Sequence, residues 1–298
     1  MNNLKQLAII GPTASGKTSL AIEVAQQCNA FILSLDSLSI YKEIDIASAK
    51  PTLKERAGIH HFGIDVYAPN ESFDVTSFAK LYHHALQRCK EDEKHLIIVG
   101  GTSFYLKMLM DGISELPTIS EETKMRRKDY LKDLAKTYAW LYALDDTYLS
   151  RIDPHDPYRI EKALDIYLET GLTPTAYFKM HPPKPAIVAP LPIYQIEIPK
   201  ETLRSRIALR TGKMIKEGLI DEVCMLEAKY TRAPNAMKSI GIKETLAYLD
   251  GIYDKKTLEE KITTNTARLA KRQTTFNQSQ FQDVKKGSVE ELQSALLR

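Results

Sequence analysis

The sequence predicts an α/β protein, a parallel sheet flanked by helices and interrupted by an all-helical insertion. Three observations carry this prediction. Short apolar runs alternate with helix-like stretches through the N-terminal third of the chain, the signature of a parallel sheet with helices on both faces. A glycine-rich turn, GPTASGKT (Gly11–Thr18), lies between the first such run and the first such helix. From about Gly112 the texture becomes highly charged and helical in period, until a proline-rich passage ends it.

The elements follow in order. QLAIIG reads as a short buried strand, and GKTSLAIEVAQQC as the helix after it, with Leu20, Ala21, Val24 and Ala25 on one face. AFILSLDS (Ala30–Ser37) is a second apolar run. KHLIIVGGTS (Lys94–Ser103) is a third, entered from the helix-like VTSFAKLYHHALQRCK. SEETKMRRKDYLKDLAKTYAWLYAL and DPYRIEKALDIYLETG are charged and helical in period. HPPKPAIVAPLP (His181–Pro192) reads as a linker, after which IYQIEI resumes a strand texture and the remainder is mostly helical. The expected organisation is a catalytic core built from residues 1–112 and 191–298, with 113–190 as the helical insertion.

Composition sets limits on function. A formal net charge of +3 is too mild to establish a nucleic-acid partner, so such a partner must show in local clusters. Cys28, Cys89 and Cys224 lie far apart and form no C-x-x-C pair, which argues against a metal knuckle or a disulfide framework and fits a reducing cytoplasm. Leu7–Ile10 leads into a glycine loop and not a cleavage site, so no signal peptide is expected, and no apolar run approaches a membrane span.

The glycine turn has the pattern G-x-x-x-x-G-K-[ST] in its proper context, strand before and helix after, so the core is expected to be P-loop NTPase-like. Gly11 and Gly16 allow a tight turn, so that after Pro12, which has no N–H of its own, the backbone N–H groups of Thr13, Ala14, Ser15 and Gly16 converge on anionic oxygens. The following helix adds its positive end. Lys17 supplies a charge to the terminal phosphates, and Thr18 offers a hydroxyl to Mg²⁺. A diphosphate or triphosphate site follows, but not its identity. The third apolar run ends in Gly100–Gly101 and not in a metal-holding Asp, and there is no N-K-x-D guanine reader. The second run instead ends at Asp36. Ligands of a parallel sheet sit beyond the carboxyl ends of its strands. A carboxylate there can hold metal or act as a base, or it can simply cap a helix, as Ser37 also can.

Five stretches together resemble the tRNA dimethylallyltransferases, of bacterial type: GPTASGKT, DSLSIYKEIDIASAKP, IVGGTSFYLKML, DPHDPYRIEKALDIYLETG and LAKRQTTF. They span nearly the whole chain in the family's order. The resemblance implies transfer of a dimethylallyl group from dimethylallyl diphosphate to N6 of the adenosine 3′-adjacent to the anticodon. The glycine loop would then grip a diphosphate leaving group. Asp36 is implied as the base or acceptor for the amine, with Thr102 near the reacting adenine. Arg206 and Arg210, four apart on one helix with Arg204 nearby, resemble family positions, and Arg210 is implied as a diphosphate contact; on pattern alone they are equally a solvated basic face.

The resemblance also implies tRNA contacts. These are Asp36, Ser37, Leu38 and Ser39; Tyr158, Arg159, Ile160, Glu161 and Lys162; Lys238, Ser239, Ile240, Gly241, Ile242 and Lys243; and Thr266, Ala267, Arg268, Leu269, Ala270, Lys271, Arg272 and Gln273. Lys124, within KMRRK, would grip the anticodon stem, unless that run is a solvated helix face. The target base must leave its stack to react. Three positions depart from the family's usual pattern: Ile242 where Tyr is frequent, Ala267 where Arg is frequent, and Asn277 where Arg is frequent. His60 and His61 also match, without an implied role. A monomer is expected, with tRNA and dimethylallyl diphosphate as partners. The alternatives are a small-molecule or nucleoside kinase using ATP on the same loop, and an RNA-binding ATPase switch.

Overall fold

The computed structural model describes residues 4–297. They separate into two compact units, Met1–Met110 with Ala186–Arg298, and Asp111–Pro185. The second unit therefore begins at Asp111 instead of 113 and ends at Pro185 instead of 190. The reason for the early end is local. Ala186 and Ile187 both donate their N–H groups to the Leu109 carbonyl, and Ile187 is buried in the sheet unit's core, so half of the proline-rich passage belongs to that unit.

In the first unit, β1 (Gln6–Ile10), β2 (Ala30–Leu35), β3 (His61–Phe62), β4 (His95–Gly100), β5 (Ile193–Ile196) and β6 (Val284–Gly287) form one parallel sheet in the order β3-β2-β4-β1-β5-β6. The expected apolar runs supply β1, β2, β4 and β5. Neither β3 nor β6 was legible: β3 has two residues, and β6 reads VKKG, a polar edge strand of the kind that lysines protect from further pairing. Helix α1 (Lys17–Gln27) buries Leu20, Ala21, Val24 and Ala25 against one sheet face, as its period requires. Helix α2 (Val75–Glu91) is capped by the Asp74 side chain on the Ser77 N–H and buries Phe78, Tyr82, Ala85 and Cys89 on the other face. Helix α3 (Ser103–Asp111) follows β4.

The second unit is helical: α4 (Glu121–Tyr130), α5 (Leu134–Leu144), α6 (Asp146–Leu149), α7 (Pro157–Thr170) and α8 (Pro174–Met180). The first stretch read as helical in period is two helices, parted at Leu131–Asp133, where Asp133 caps the second through the Lys136 N–H. Leu141, Leu149, Ile160, Ala163 and Leu164 form this unit's own core. Back in the first unit come α9 (Lys200–Lys216), α10 (Leu219–Tyr230), a short 3₁₀ turn at Asn235–Lys238, α11 (Ile242–Leu249), α12 (Lys255–Gln280) and α13 (Val289–Leu296). No described helix is long and apolar enough to cross a membrane.

Candidate active site

The carboxyl ends of β1, β2 and β4 are adjacent in the sheet and deliver three different groups to one place. From β1 comes the glycine loop. Gly16 has φ +96, Ala14 also takes a left-handed conformation with φ 63, and the loop leads directly into α1. From β2 comes Asp36. From β4 come Gly100, Gly101 and Thr102. Gly100 is required by packing, because a Cβ there would lie 2.0 Å from the Leu35 carbonyl oxygen on the neighbouring strand.

Side chains from distant helices complete the loop's surroundings. Arg206 Nη1 donates to the Ser15 carbonyl at 3.3 Å, and Arg210 Nη1 to the Thr13 hydroxyl at 3.1 Å, so these two arginines of α9 face the loop; Arg210 is half-buried there, whereas Arg206 stays exposed to water. The Gln273 side-chain carbonyl, on α12, accepts from the Thr13 N–H at 2.9 Å. The same side chain lies over Gly101, where an added Cβ would meet its Nε2 at 2.4 Å. The loop, Asp36, Ser39, Lys50, His61, Gly100, Arg206 and Arg210 line a cavity of about 310 Å³.

Two half-buried cations, Lys17 and Arg210, set the electrostatics of the cavity. Burial pushes the Lys17 ammonium down to about 8; the Asp36 carboxylate pulls it back up, and Arg210 pushes it further down. Among the described residues its Nζ donates to the Pro12 carbonyl alone, at 3.1 Å. Burial likewise lowers Arg210, again opposed by Asp36. The site therefore holds positive charge at a desolvation cost.

Asp36 does act as a local cap: one oxygen, Oδ1, accepts from the N–H groups of Leu38 at 2.8 Å and Ser39 at 3.1 Å. These bonds fix the carboxylate's orientation. Thr102 is tied to the same turn, its N–H donating to the Leu35 carbonyl at 3.0 Å and its hydroxyl accepting from the Ser37 N–H at 3.3 Å. Asp36 and Thr102, implied separately by resemblance, thus share one hydrogen-bonded corner.

His60 and His61 part company. His60 sits edge-on against Phe31 and Phe62, a packing role. His61 holds the Ile59 carbonyl with Nδ1 at 2.8 Å and lines the cavity; burial lowers its pKa, which favours the neutral ring.

The remaining stretches are mixed. Ser37, Lys238, Lys243, Arg268, Lys271 and Arg272 are exposed on the first unit. Ile242 and Ala270 are buried in that unit, and Ile160 in the second unit's core. Their side chains cannot reach an RNA, and Ile242 has no part in stacking on a base: it fills the helical core beside Leu246 and Leu258. Gly241 and Ser39 are buried as well. Within the second unit Tyr158 is exposed, with the Lys162 ammonium 5.6 Å above its ring. Glu161 instead binds Arg127, which also holds the buried Asp165 at 2.9 Å. Arg127 is therefore an internal strut, unlike the phosphate grip the KMRRK pattern suggested. Lys124 is half-exposed and pairs with Glu121 at 2.6 Å.

Comparison with known proteins bears on what this site serves. A family model described as IPP transferase matches residues 39–280. A protein of a Sulfurovum species named tRNA dimethylallyltransferase is 67% identical over 295 residues, covering 99% of this chain and 98% of its own. Among solved structures, a tRNA delta(2)-isopentenylpyrophosphate transferase from Staphylococcus epidermidis is 30% identical, with TM-score 0.69 over 99% of this chain and 97% of that one. A eukaryotic dimethylallyltransferase, described as acting on tRNA, is 26% identical with TM-score 0.78, over 92% of this chain and 70% of that chain. With the family model matching most of the chain and a relative 67% identical over nearly its whole length, the chain belongs to the IPP transferase family.

Proposed function

We propose that this protein transfers the dimethylallyl group of dimethylallyl diphosphate to N6 of the adenosine 3′-adjacent to the anticodon in tRNAs, releasing diphosphate. The observation that carries the reading is the juxtaposition, in one cavity, of a cationic phosphate cradle and the single carboxylate Asp36. The relatives' names support it over a kinase.

Each group has work to do. The loop amides, Lys17 and Arg210 surround the diphosphate, and their charge is worth most as the C–O bond breaks and negative charge gathers on the leaving oxygen. N6 of adenine attacks the allylic carbon, forming the N–C bond as the C–O bond breaks. The attacking nitrogen becomes acidic only then, so the Asp36 carboxylate can accept its proton and pass it to water. The two hydrogen bonds to Oδ1 leave Oδ2 as the oxygen for that task. Thr102 steadies the corner from which Asp36 acts.

Mg²⁺ fits the donor set. Thr18 and Asp36 line the same cavity, while among the described residues no group of three or more His, Cys, Asp or Glu side chains forms a metal cage. A hydroxyl with few protein ligands suits an ion that keeps its waters and leans on diphosphate oxygens. Thr18 would hold it, and its charge would help neutralise the leaving group.

The tRNA is proposed to meet the exposed basic residues Lys238, Lys243, Arg268, Lys271 and Arg272, together with Lys124, Tyr158, Arg159 and Lys162 of the second unit. Incubating the protein with tRNA and labelled dimethylallyl diphosphate, then weighing the nucleosides, tests the whole reading. A dimethylallyl adduct on adenosine is expected. Label left wholly in the diphosphate, or ATP turnover in its place, would refute it.

A further inference from the structure

One wall of the cavity is a loop that contains no strand or helix of its own. Residues 42–51 run from the bridge at Tyr41 to Ser48, Ala49, Lys50 and Pro51, all four of which line the cavity opposite the phosphate loop. The Ala49 carbonyl accepts from Arg210 Nη2 at 3.5 Å, beside the bond from Arg210 to Thr13. Two residues of this loop that are not glycine, Glu43 with φ 64 and Ala49 with φ 48, are in the left-handed region. Each such residue costs about 1 kcal/mol, so the loop keeps its shape only if something over-determines it.

That something stands outside the cavity. Glu222, in the first turn of α10, is only 7% exposed. Its Oε2 accepts the N–H groups of Asp45 at 2.9 Å and Ile46 at 2.7 Å, and its Oε1 accepts that of Ala47 at 2.9 Å. Three consecutive amides, lying between the two left-handed residues, thus converge on one carboxylate from a helix about 175 positions away in sequence. The same helix grips Glu43 through Lys229 and Tyr230, but at the exposed surface. Inside the loop, Lys50 closes the ring on the Tyr41 carbonyl at 3.0 Å and on Asp45 at 2.7 Å.

We propose that Glu222 is a positioning residue for the diphosphate site. By clamping the amides of residues 45–47 it sets the height of Ser48–Pro51 and, through the Ala49 carbonyl, the aim of the Arg210 guanidinium. It touches neither substrate. The inference rests on reading the cavity as a diphosphate site, and it extends the machinery to a helix outside the cavity wall.

The test is titration of inorganic diphosphate into the full chain by calorimetry. Glu222→Gln is isosteric, but its one carbonyl oxygen cannot serve three amides and its NH₂ opposes them. Its diphosphate Kd should rise roughly tenfold, the loss expected when charge-assisted bonds are removed. KM for dimethylallyl diphosphate should rise in step, and kcat at saturation should fall several-fold, because a misaimed Arg210 also loses its hold on the charge that gathers as the C–O bond breaks. Glu222→Asp, which keeps the charge and retracts it, is the second variant and should weaken binding several-fold. Combined with Arg210→Lys, Glu222→Gln should add less than its single effect, since both act through Ala49. A lower melting temperature with unchanged Kd in both Glu222 variants, or full additivity with Arg210→Lys, would overturn the proposal. A wild-type chain that does not bind diphosphate would instead overturn the reading of the cavity itself.

Discussion

Replacing Lys17 by Met should make the free protein more stable and nearly inactive. The lysine is charged inside a site that also holds Arg206 and Arg210, and its pKa falls from 10.5 to about 8, chiefly through burial. At about 1.4 kcal/mol per pH unit, that gap puts the cost of keeping the charge at roughly 3 kcal/mol. The residue as a whole is half-buried, so water at its edge lowers this ceiling. Losing the 3.1 Å bond to the Pro12 carbonyl gives back about 1 kcal/mol. The net gain for Lys17→Met near neutral pH is therefore about 1–2 kcal/mol. The sign with pH follows. Below about 8 both folded and unfolded chains hold the proton, and the wild type carries the full penalty. Between about 8 and 10.5 the unfolded chain binds more protons than the native one, so wild-type stability rises with pH and the variant's advantage shrinks. Near pH 10 the charge penalty is below about 1 kcal/mol, and the advantage should be gone. Urea denaturation of both proteins across this range measures the difference directly, because every other titrating group is shared. Turnover should fall roughly a hundredfold with the loss of the leaving-group charge. A variant less stable than wild type at neutral pH, or a stability difference that ignores pH, would refute the argument that this cation is held at a cost.

Three further outcomes are expected. Asp36→Asn keeps a carbonyl oxygen for the Leu38 and Ser39 amides, so melting temperature and diphosphate affinity should hold while turnover drops about a hundredfold; near-normal turnover removes Asp36 from the proton transfer. Arg127→Ala leaves the buried Asp165, among the described residues, with Lys162 alone at 3.7 Å, so the chain should lose about 2–4 kcal/mol of stability in chemical denaturation, and an unchanged stability would mean the arginine is not a strut. Gly100→Ala drives a methyl into the Leu35 backbone and should cost about 3 kcal/mol or more, whereas Gly101→Ala need only displace the Gln273 side chain, leaving a folded protein with slowed turnover; equal stability of the two in thermal melts would contradict this.

The sequence alone was sufficient for whatever depends on neighbours along the chain. A glycine turn between an apolar run and a helical period specifies a tight strand-to-helix loop, since consecutive residues set its backbone geometry. The apolar runs specify β1, β2, β4 and β5, since a strand buried on both faces must be apolar throughout. The faces of α1 and the pairing of Arg206 with Arg210 come from the 3.6-residue period. What only the tertiary structure decided is which faces meet protein and which meet water. Period places Ile160, Ile242 and Ala270 on helices, but burial against neighbouring helices removes all three side chains from any RNA contact. KMRRK reads as a basic run, yet a carboxylate on another helix claims Arg127. Gln273 reaches Thr13 across 260 positions, and Glu222 reaches Ala47 across 175. The depressed pKa of Lys17 likewise depends on atoms that burial and Arg210 bring round it. Local pattern fixes the backbone's short-range geometry, whereas desolvation and long-range hydrogen bonds exist only once distant segments have packed together.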